Sequence, residues 1–332
     1  MIIPETIAQT PLGPRSGAEP WPLVSVVLLS YARPQFLAEA LESVARQSYP
    51  NLEVLVVDNP SGASAEIAAI VGRHPEVKLI QNAENLGFAT GMNVGVRNSS
   101  GDYIYLTEDD MVLEPDCIRE LVQHALAEPS LGLMSGLMYN KQEGTIRSAG
   151  GRLSLGAVFK MEMLSQGQVD QGQFPVPFDV TYIPGAMMFA SRELWKSLGG
   201  FRDDFFMYSE DVELCLRACR LGHRITIVPG AKALHFEPLP APASDLITFH
   251  KIKNFYSVYI LHAPFSVLIG VVLWQMLIEF PRTIVVDRHQ TALSWRALRA
   301  TWARRGELWR QRRAWMAQEK ARTSTRAGHI TG

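Results

Sequence analysis

Two short runs constrain this chain more than any other feature. LVSVVLLS (23–30) and LEVLVVD (52–58) are apolar at nearly every position, so neither face of either strand can be left to water. Strands buried on both faces need helices above and below them, which is the arrangement of a parallel α/β sheet. The intervening PQFLAEALESVARQ supplies such a helix. Phe36, Leu37, Ala40, Leu41 and Val44 recur at helical spacing, and Pro34 suits a first helical turn. A helix over about 65–73, a strand VKLIQ (77–81), a glycine-rich helix opening GFATGMNVGVRNS and a strand DYIYLT (102–107) continue the alternation. Right-handed crossovers and a mostly parallel sheet follow, with ligands at the carboxyl ends of the strands. Asp58 and the acids Glu108, Asp109 and Asp110 fall at those ends.

Beyond about residue 131 the pattern changes to shorter, glycine-rich strands and loops. A helix is expected at 191–198, then the loop GGFRDDFFMYSED, then a helix VELCLRACRLG closed by Gly222. HRITIVPGAKALHF reads as a strand, a turn and a strand. These pieces extend the first domain rather than form a second one. Three cysteines, Cys117, Cys215 and Cys219, are too few for a disulfide framework and fit a reducing compartment. Cys215 and Cys219 read as small apolar residues on one helix face.

Residues 1–22 are rich in proline and glycine and read as a disordered lead-in, with no basic start and apolar run of a signal peptide. The domain proper spans 23–240, and 241–332 forms a helical extension. Within it, 264–286 is the most apolar stretch, interrupted by Glu279, Pro281 and Arg282, and reads as a helix buried in protein or lying in a membrane interface. Trp295, Trp302 and Trp309 then recur every seven residues, with Trp315 one short of the next repeat. Residues 288–326 hold eleven Lys/Arg and two Glu, a net of about +9, so the rest of a chain whose total is −1 sums to about −10. Tryptophan on one helix face and arginine on the other, beside an acidic body, points to an anionic membrane surface, or to a basic helix packed on the domain, and no nucleic-acid module is recognisable.

Each candidate residue has a plain structural use beside its chemical one. Asp58 could accept hydrogen bonds from a ribose or base edge, or simply cap a turn. Gly87, Gly91 and Gly95, interleaved with Asn85 and Asn93, could let backbone approach a phosphate, or pack a helix on the sheet. Glu108 and Asp110, one residue apart on extended backbone, could face one point, where two carboxylates require a cation or a proton. Oxygen ligands of this kind suit Mg2+ or Mn2+ completed by diphosphate oxygens. Glu210 and Asp211 open a helix, where acids suit the dipole, but Phe205, Phe206 and Tyr208 beside them could exclude water around a general base. His235 closes a strand and gains meaning only beside a metal.

In their order along the chain, these stretches resemble the family 2 glycosyltransferases with the GT-A fold, especially the bacterial rhamnosyltransferase-like branch. The resemblance runs from about Val24 to Phe236 and rests on VSVVLLSYARPQFLAEALESV, VVDNPSG, NLGFATGMNVG, EDDMVLEPD, GAMMFASRELWKSLGGF, FFMYSEDVELCLRACRLG and ALHF. It implies an inverting transfer of a sugar from a nucleotide-diphosphate donor, dTDP-rhamnose or a UDP-sugar, to a glycan or lipid-linked acceptor. It implies Asp211 as the catalytic base. Ser30, Tyr31, Arg33, Asp58, Asn85, Gly87 and Asn93 would lie around the nucleotide. Asp110, Glu108 and His235 would hold Mn2+ or Mg2+, and Gly185, Phe206, Tyr208 and Glu210 would support the acceptor side. The setting implied is cytoplasmic, peripheral on the inner face of a bacterial membrane. Three positions depart from the family pattern: Pro60 and Ala63 in the turn after Asp58, and Glu108 where the first metal acid is commonly Asp or Asn.

Overall fold

The computed structural model describes residues 21–330 apart from 131, 157–158, 237–243 and 280–287. Most of the lead-in, the expected boundary at 240 and the end of the apolar stretch therefore lie outside the described residues. The amino-terminal half alternates as its sequence dictates: β1 (Val24–Ser30), α1 (Pro34–Ala45), β2 (Leu52–Asp58), α2 (Ser64–Val71), β3 (Val77–Gln81), α3 (Gly87–Arg97) and β4 (Tyr103–Glu108). β3, β2, β1 and β4 are neighbours in that order and all parallel, which places Ser30 opposite Asp58 and Leu29 opposite Glu108.

β1 shows how the layers form. Val24, Val26 and Leu28 point into cores shared with α1 and with α4 (Cys117–Ala127), while Val27 and Leu29 enter the opposite core. That core is where α3 lies. A side chain on Gly95 would collide with Val27, and one on Gly91 would sit 2.7 Å from Leu29 Cδ1. Gly91 and Gly95 therefore serve helix–sheet packing.

The second half completes the same sheet. β6 (Leu133–Asn140), β11 (Met187–Ser191) and β12 (Ile225–His235) extend it in the order β12-β6-β11-β4, with β11 antiparallel to both neighbours. The expected strand–turn–strand at 223–236 is instead one strand with a broken register. Ser135 pairs with Ile227 and Leu137 with Lys232, so Gly136 alone faces Val228–Ala231. Pro229 cannot donate to the ladder, and a Cβ on Gly136 would strike the Ala231 carbonyl, so the strand bulges here without turning back. The bulge leaves His235 paired with Met111 of the short β5 (Met111–Leu113), just past the acids.

Helices α5 (Arg192–Leu198) and α6 (Glu210–Arg220) follow β11. Cys215 is buried and unpaired, as expected of a small apolar residue. The extension begins with α7 (Asp245–His262), whose Val258 and Leu261 join the main core together with Leu308 of the helix Arg305–Ile330. The extension is thus packed onto the domain. α8 (Phe265–Trp274) passes into a π-helical turn, Gln275–Glu279. Among the described residues, no helix is long and apolar enough to cross a membrane. The tryptophan repeat is split. Trp295 and Trp302 are exposed, whereas Trp315 stacks on His262 with ring centroids 5.5 Å apart.

Candidate active site

The strand ends at β1, β2 and β4 converge on the three acids. Asp109, the least expected of them, is wholly buried. Its Oδ2 accepts from Ser30 Oγ at 2.8 Å and from the Tyr31 amide at 3.1 Å. It fastens the loop after β1, where Ala32 adopts a left-handed φ of 58°. Arg33 leaves that loop and reaches all three acids: Glu108 Oε2 at 3.3 Å, Asp109 Oδ1 at 2.9 Å, and Asp110. Burial, and next the Asp110 charge, push Glu108 up to about 7 despite Arg33. Burial pushes Asp109 up to about 6.

Asp110 Oδ1 is buried with no hydrogen-bond partner and lies 3.7 Å from His235 Nε2. Burial lowers His235 to about 4, so its ring is neutral near pH 7 and offers a lone pair. A buried, unpartnered carboxylate oxygen facing a neutral imidazole fits a divalent cation whose remaining ligands come from a diphosphate. Among the described residues, no group of three or more His, Cys, Asp or Glu side chains is gathered so that it could hold a metal ion, so Glu108, drawn to Arg33, does not join Asp110 and His235 in such a group.

Asp58 is buried at the end of β2. Among the described residues its Oδ1 has no hydrogen-bond partner, and its Oδ2 accepts from Gln81 Nε2 at 3.4 Å. Its neighbour Asn59, which the sequence reading passed over, organises the surrounding loop. The Asn59 amide donates to the Gly87 carbonyl at 2.9 Å, and its Oδ1 accepts from Asn82 at 2.9 Å. Asn85 caps the turn by accepting from the Gly87 amide at 2.9 Å. Gly87 has a φ of 74°, and Phe206 fills the space its side chain would need. Asn93 is turned toward 201–203, donating to the Phe201 carbonyl and to Asp203 Oδ1, each at 2.8 Å. Gly87 and Asn93 thus hold the loop that carries the second acid pair.

That loop enters α6 through Tyr208 and Ser209, both left-handed at φ 65° and 66°. Asp211, in the first turn, accepts through Oδ2 from Tyr182 Oη at 2.8 Å and the Gly185 amide at 3.3 Å, and through Oδ1 from the Val212 amide at 2.7 Å. Burial nonetheless raises its pKa. Glu210 is buried with Oε2 unpartnered, and burial together with the Asp211 charge drives it well above the carboxylate range. The Tyr208 phenol is raised by burial and then by the charges of Glu108 and Glu210. Tyr182 gave no signal in the sequence, because nothing near it in the chain is chemical.

Comparisons with known proteins bear on the family and the fold. The family model described as Glycosyl transferase family 2 matches residues 25–199. The chain is 25% identical over 252 residues to N-acetylglucosaminyl-diphospho-decaprenol L-rhamnosyltransferase of Mycobacterium tuberculosis, covering 69% of this chain and 82% of that protein. It is 27% identical over 247 residues to the uncharacterized protein y4gI of Sinorhizobium fredii, but spans only 27% of that protein's length. Among solved structures, GalNAc-T7 with UDP, GalNAc and Mn2+ superposes with a TM-score of 0.58 at 14% identity, over 79% of this chain and 57% of that one.

Proposed function

The chain belongs to glycosyl transferase family 2 and has its GT-A fold, and from that premise we propose that it is an inverting transferase using Asp211 as its base. The donor is a nucleotide-diphosphate sugar, dTDP-rhamnose or a UDP-sugar, and the acceptor is a hydroxyl of a glycan or lipid-linked sugar. The relative named as an L-rhamnosyltransferase on a diphospho-decaprenol substrate is the reason rhamnose and a lipid-linked acceptor come first. The observation that carries the reading is the carboxylate of Asp211, half-buried at a helix start, with raised proton affinity and fixed by Tyr182 and Gly185.

In the proposed reaction Asp211 takes the proton from the acceptor hydroxyl, whose oxygen forms a bond to the anomeric carbon. The bond from that carbon to the donor's diphosphate oxygen breaks, and the electron pair leaves with the diphosphate. Asp58 accepts hydrogen bonds from the nucleotide, which the loop Ser30–Arg33 lines. Asn85, Gly87 and Asn93 shape that pocket from behind. Asp110 and His235 would hold Mn2+ or Mg2+, which neutralises the diphosphate as a leaving group when bound. Gly185, Phe206, Tyr208 and Glu210 bound the acceptor side and keep water from the base.

Asp211→Asn should reduce transfer by about 10²–10⁴-fold while leaving binding of nucleotide and Mn2+ unchanged in calorimetry. Intact transfer in that variant would remove Asp211 from the mechanism. A wild-type chain that binds nucleotide yet turns over no nucleotide-sugar with Mn2+ or Mg2+ would be a non-catalytic binding subunit instead.

The extension gives the membrane reading its support. Phe265, Trp274, Met276 and Leu277 on α8 and the π turn are exposed, Leu277 by 67%. Arg312 donates to the carbonyls of Ile260 and Ala263, so the basic helix meets the start of this apolar segment. An apolar face beside arginines suits the surface of an anionic bilayer, here the inner face of a bacterial cell membrane. The full chain should sediment with phosphatidylglycerol vesicles, less so in high salt, and not with phosphatidylcholine alone. Failure to sediment with phosphatidylglycerol vesicles at low salt would dismiss it.

A further inference from the structure

The loop that delivers Asp211 is held from outside the matched family region, by helix α7. Asn254 of α7 is fully buried, and its amide donates to the carbonyls of Met207 at 2.9 Å and Tyr208 at 2.6 Å. One turn earlier, His250 stacks on Phe206 with centroids 4.8 Å apart, and Lys251 lies over the Tyr208 ring at 4.4 Å. Lys253 donates to the Asp204 carbonyl, and Arg304, in the turn just before the helix Arg305–Ile330, pairs with the Asp204 carboxylate. One helical face thus grips four of five consecutive loop residues.

The grip falls where the backbone most needs it. Tyr208 and Ser209 are consecutive non-glycine residues at positive φ, a conformation that surrounding structure must impose. Ser209 makes no side-chain cap to α6, so its own hydroxyl does not pay for that φ. On the far side of the loop, the Phe206 carbonyl accepts from the Phe88 amide at 2.6 Å, tying the same turn to the start of α3. Asn254 holds the Met207 carbonyl just before the strained pair and the Tyr208 carbonyl within it. A change there would rotate the first turn of α6 and move Asp211 away from Tyr182 and Gly185.

We propose that Asn254 is a positioning residue: from the helical extension it locks Tyr208 and Ser209 in their left-handed turn and so fixes where the Asp211 carboxylate points. The inference deepens the transferase reading and rests on it only for its catalytic consequence. The lock itself is a property of the fold and is read without substrate.

The experiment compares amide hydrogen exchange in the full chain, wild type against Asn254→Ala and the double variant Asn254→Ala/Ser209→Gly. Asn254→Ala should speed exchange by about tenfold in 204–213 and leave the β1–β4 sheet unchanged. Glycine at 209 relieves the positive φ, so the double variant should recover much of the lost protection. Faster exchange spread evenly over the chain, no change at 204–213, or no recovery with glycine would each overturn the lock. Should Asn254→Ala not fold, Ser209→Gly alone decides. It should slow exchange at 204–213, and faster exchange there would overturn the lock. In transfer assays across a nucleotide-sugar panel, Asn254→Ala should lower kcat about tenfold with donor KM little changed. Exchange that responds as expected beside an Asp211→Asn variant with full activity would sink the base assignment and leave the lock standing. An inactive Asp211→Asn beside unaltered exchange in Asn254→Ala would do the reverse.

Discussion

The Asp211 carboxylate has three donors around it and still sits above the ordinary aspartate range, because burial outweighs them. Tyr182 is the strongest single influence in the opposite direction. Tyr182→Phe removes a donor to the charged form, so the carboxylate's pKa must rise further. A base works as the carboxylate, so the acid limb of the pH–rate profile should move to higher pH. The rate near neutrality should fall by up to about tenfold, the scale of a hydrogen bond to a charged group. An acid limb at the wild-type position would show that Asp211 does not set it. Asp109 shows how residue identity can mislead. Three adjacent acids look equivalent in sequence, yet Asp109 accepts from Ser30 and Tyr31 and holds the loop after β1, while Asp110 lies beside His235.

At the level of elements, the parallel half was legible because each strand is a continuous apolar run and each helix carries a 3.6-residue stripe. Strand ends follow directly from that alternation, so Asp58 and the acid cluster were placeable without coordinates. The second half was harder. β11 runs antiparallel between β4 and β6, a pairing no local pattern encodes, since Met187–Ser191 is apolar in either direction. The Pro229-Gly230 pair signals a turn in sequence, but pairing on both sides with β6 turns it into a bulge. The family resemblance puts Gly87 and Asn93 around the nucleotide, and their contacts with Phe206 and Phe201 come from residues more than 100 positions away. The role of α7 was invisible for the same reason.

On the scale of the whole molecule, one buried network joins α6 to the extension. Glu213 on α6 pairs with Arg217 at 2.6 Å and with His262 of α7 at 3.2 Å, and Arg217 lies under the Trp315 ring. Burial alone would raise Glu213, but Arg217 and then His262 hold it down to about 2. A carboxyl depressed in the folded state stabilises fully above its unfolded value near 4.5 and loses that contribution as pH falls toward about 2. The urea midpoint should therefore drop between about pH 4.5 and pH 2, and Glu213→Gln should flatten that drop while costing about 3–5 kcal/mol at neutral pH. A midpoint with the same acid dependence in both proteins would assign the loss elsewhere. The antiparallel strand β11 carries a different consequence, one of timing. During synthesis the first four strands can pair as soon as β4 emerges, but β4 then remains an open sheet edge until Met187–Ser191 arrives, a delay of nearly eighty residues. For that interval the nascent chain offers an unpaired row of backbone donors and acceptors to any other extended chain. That exposure makes the half-built chain prone to aggregate until it supplies the strand that closes the edge.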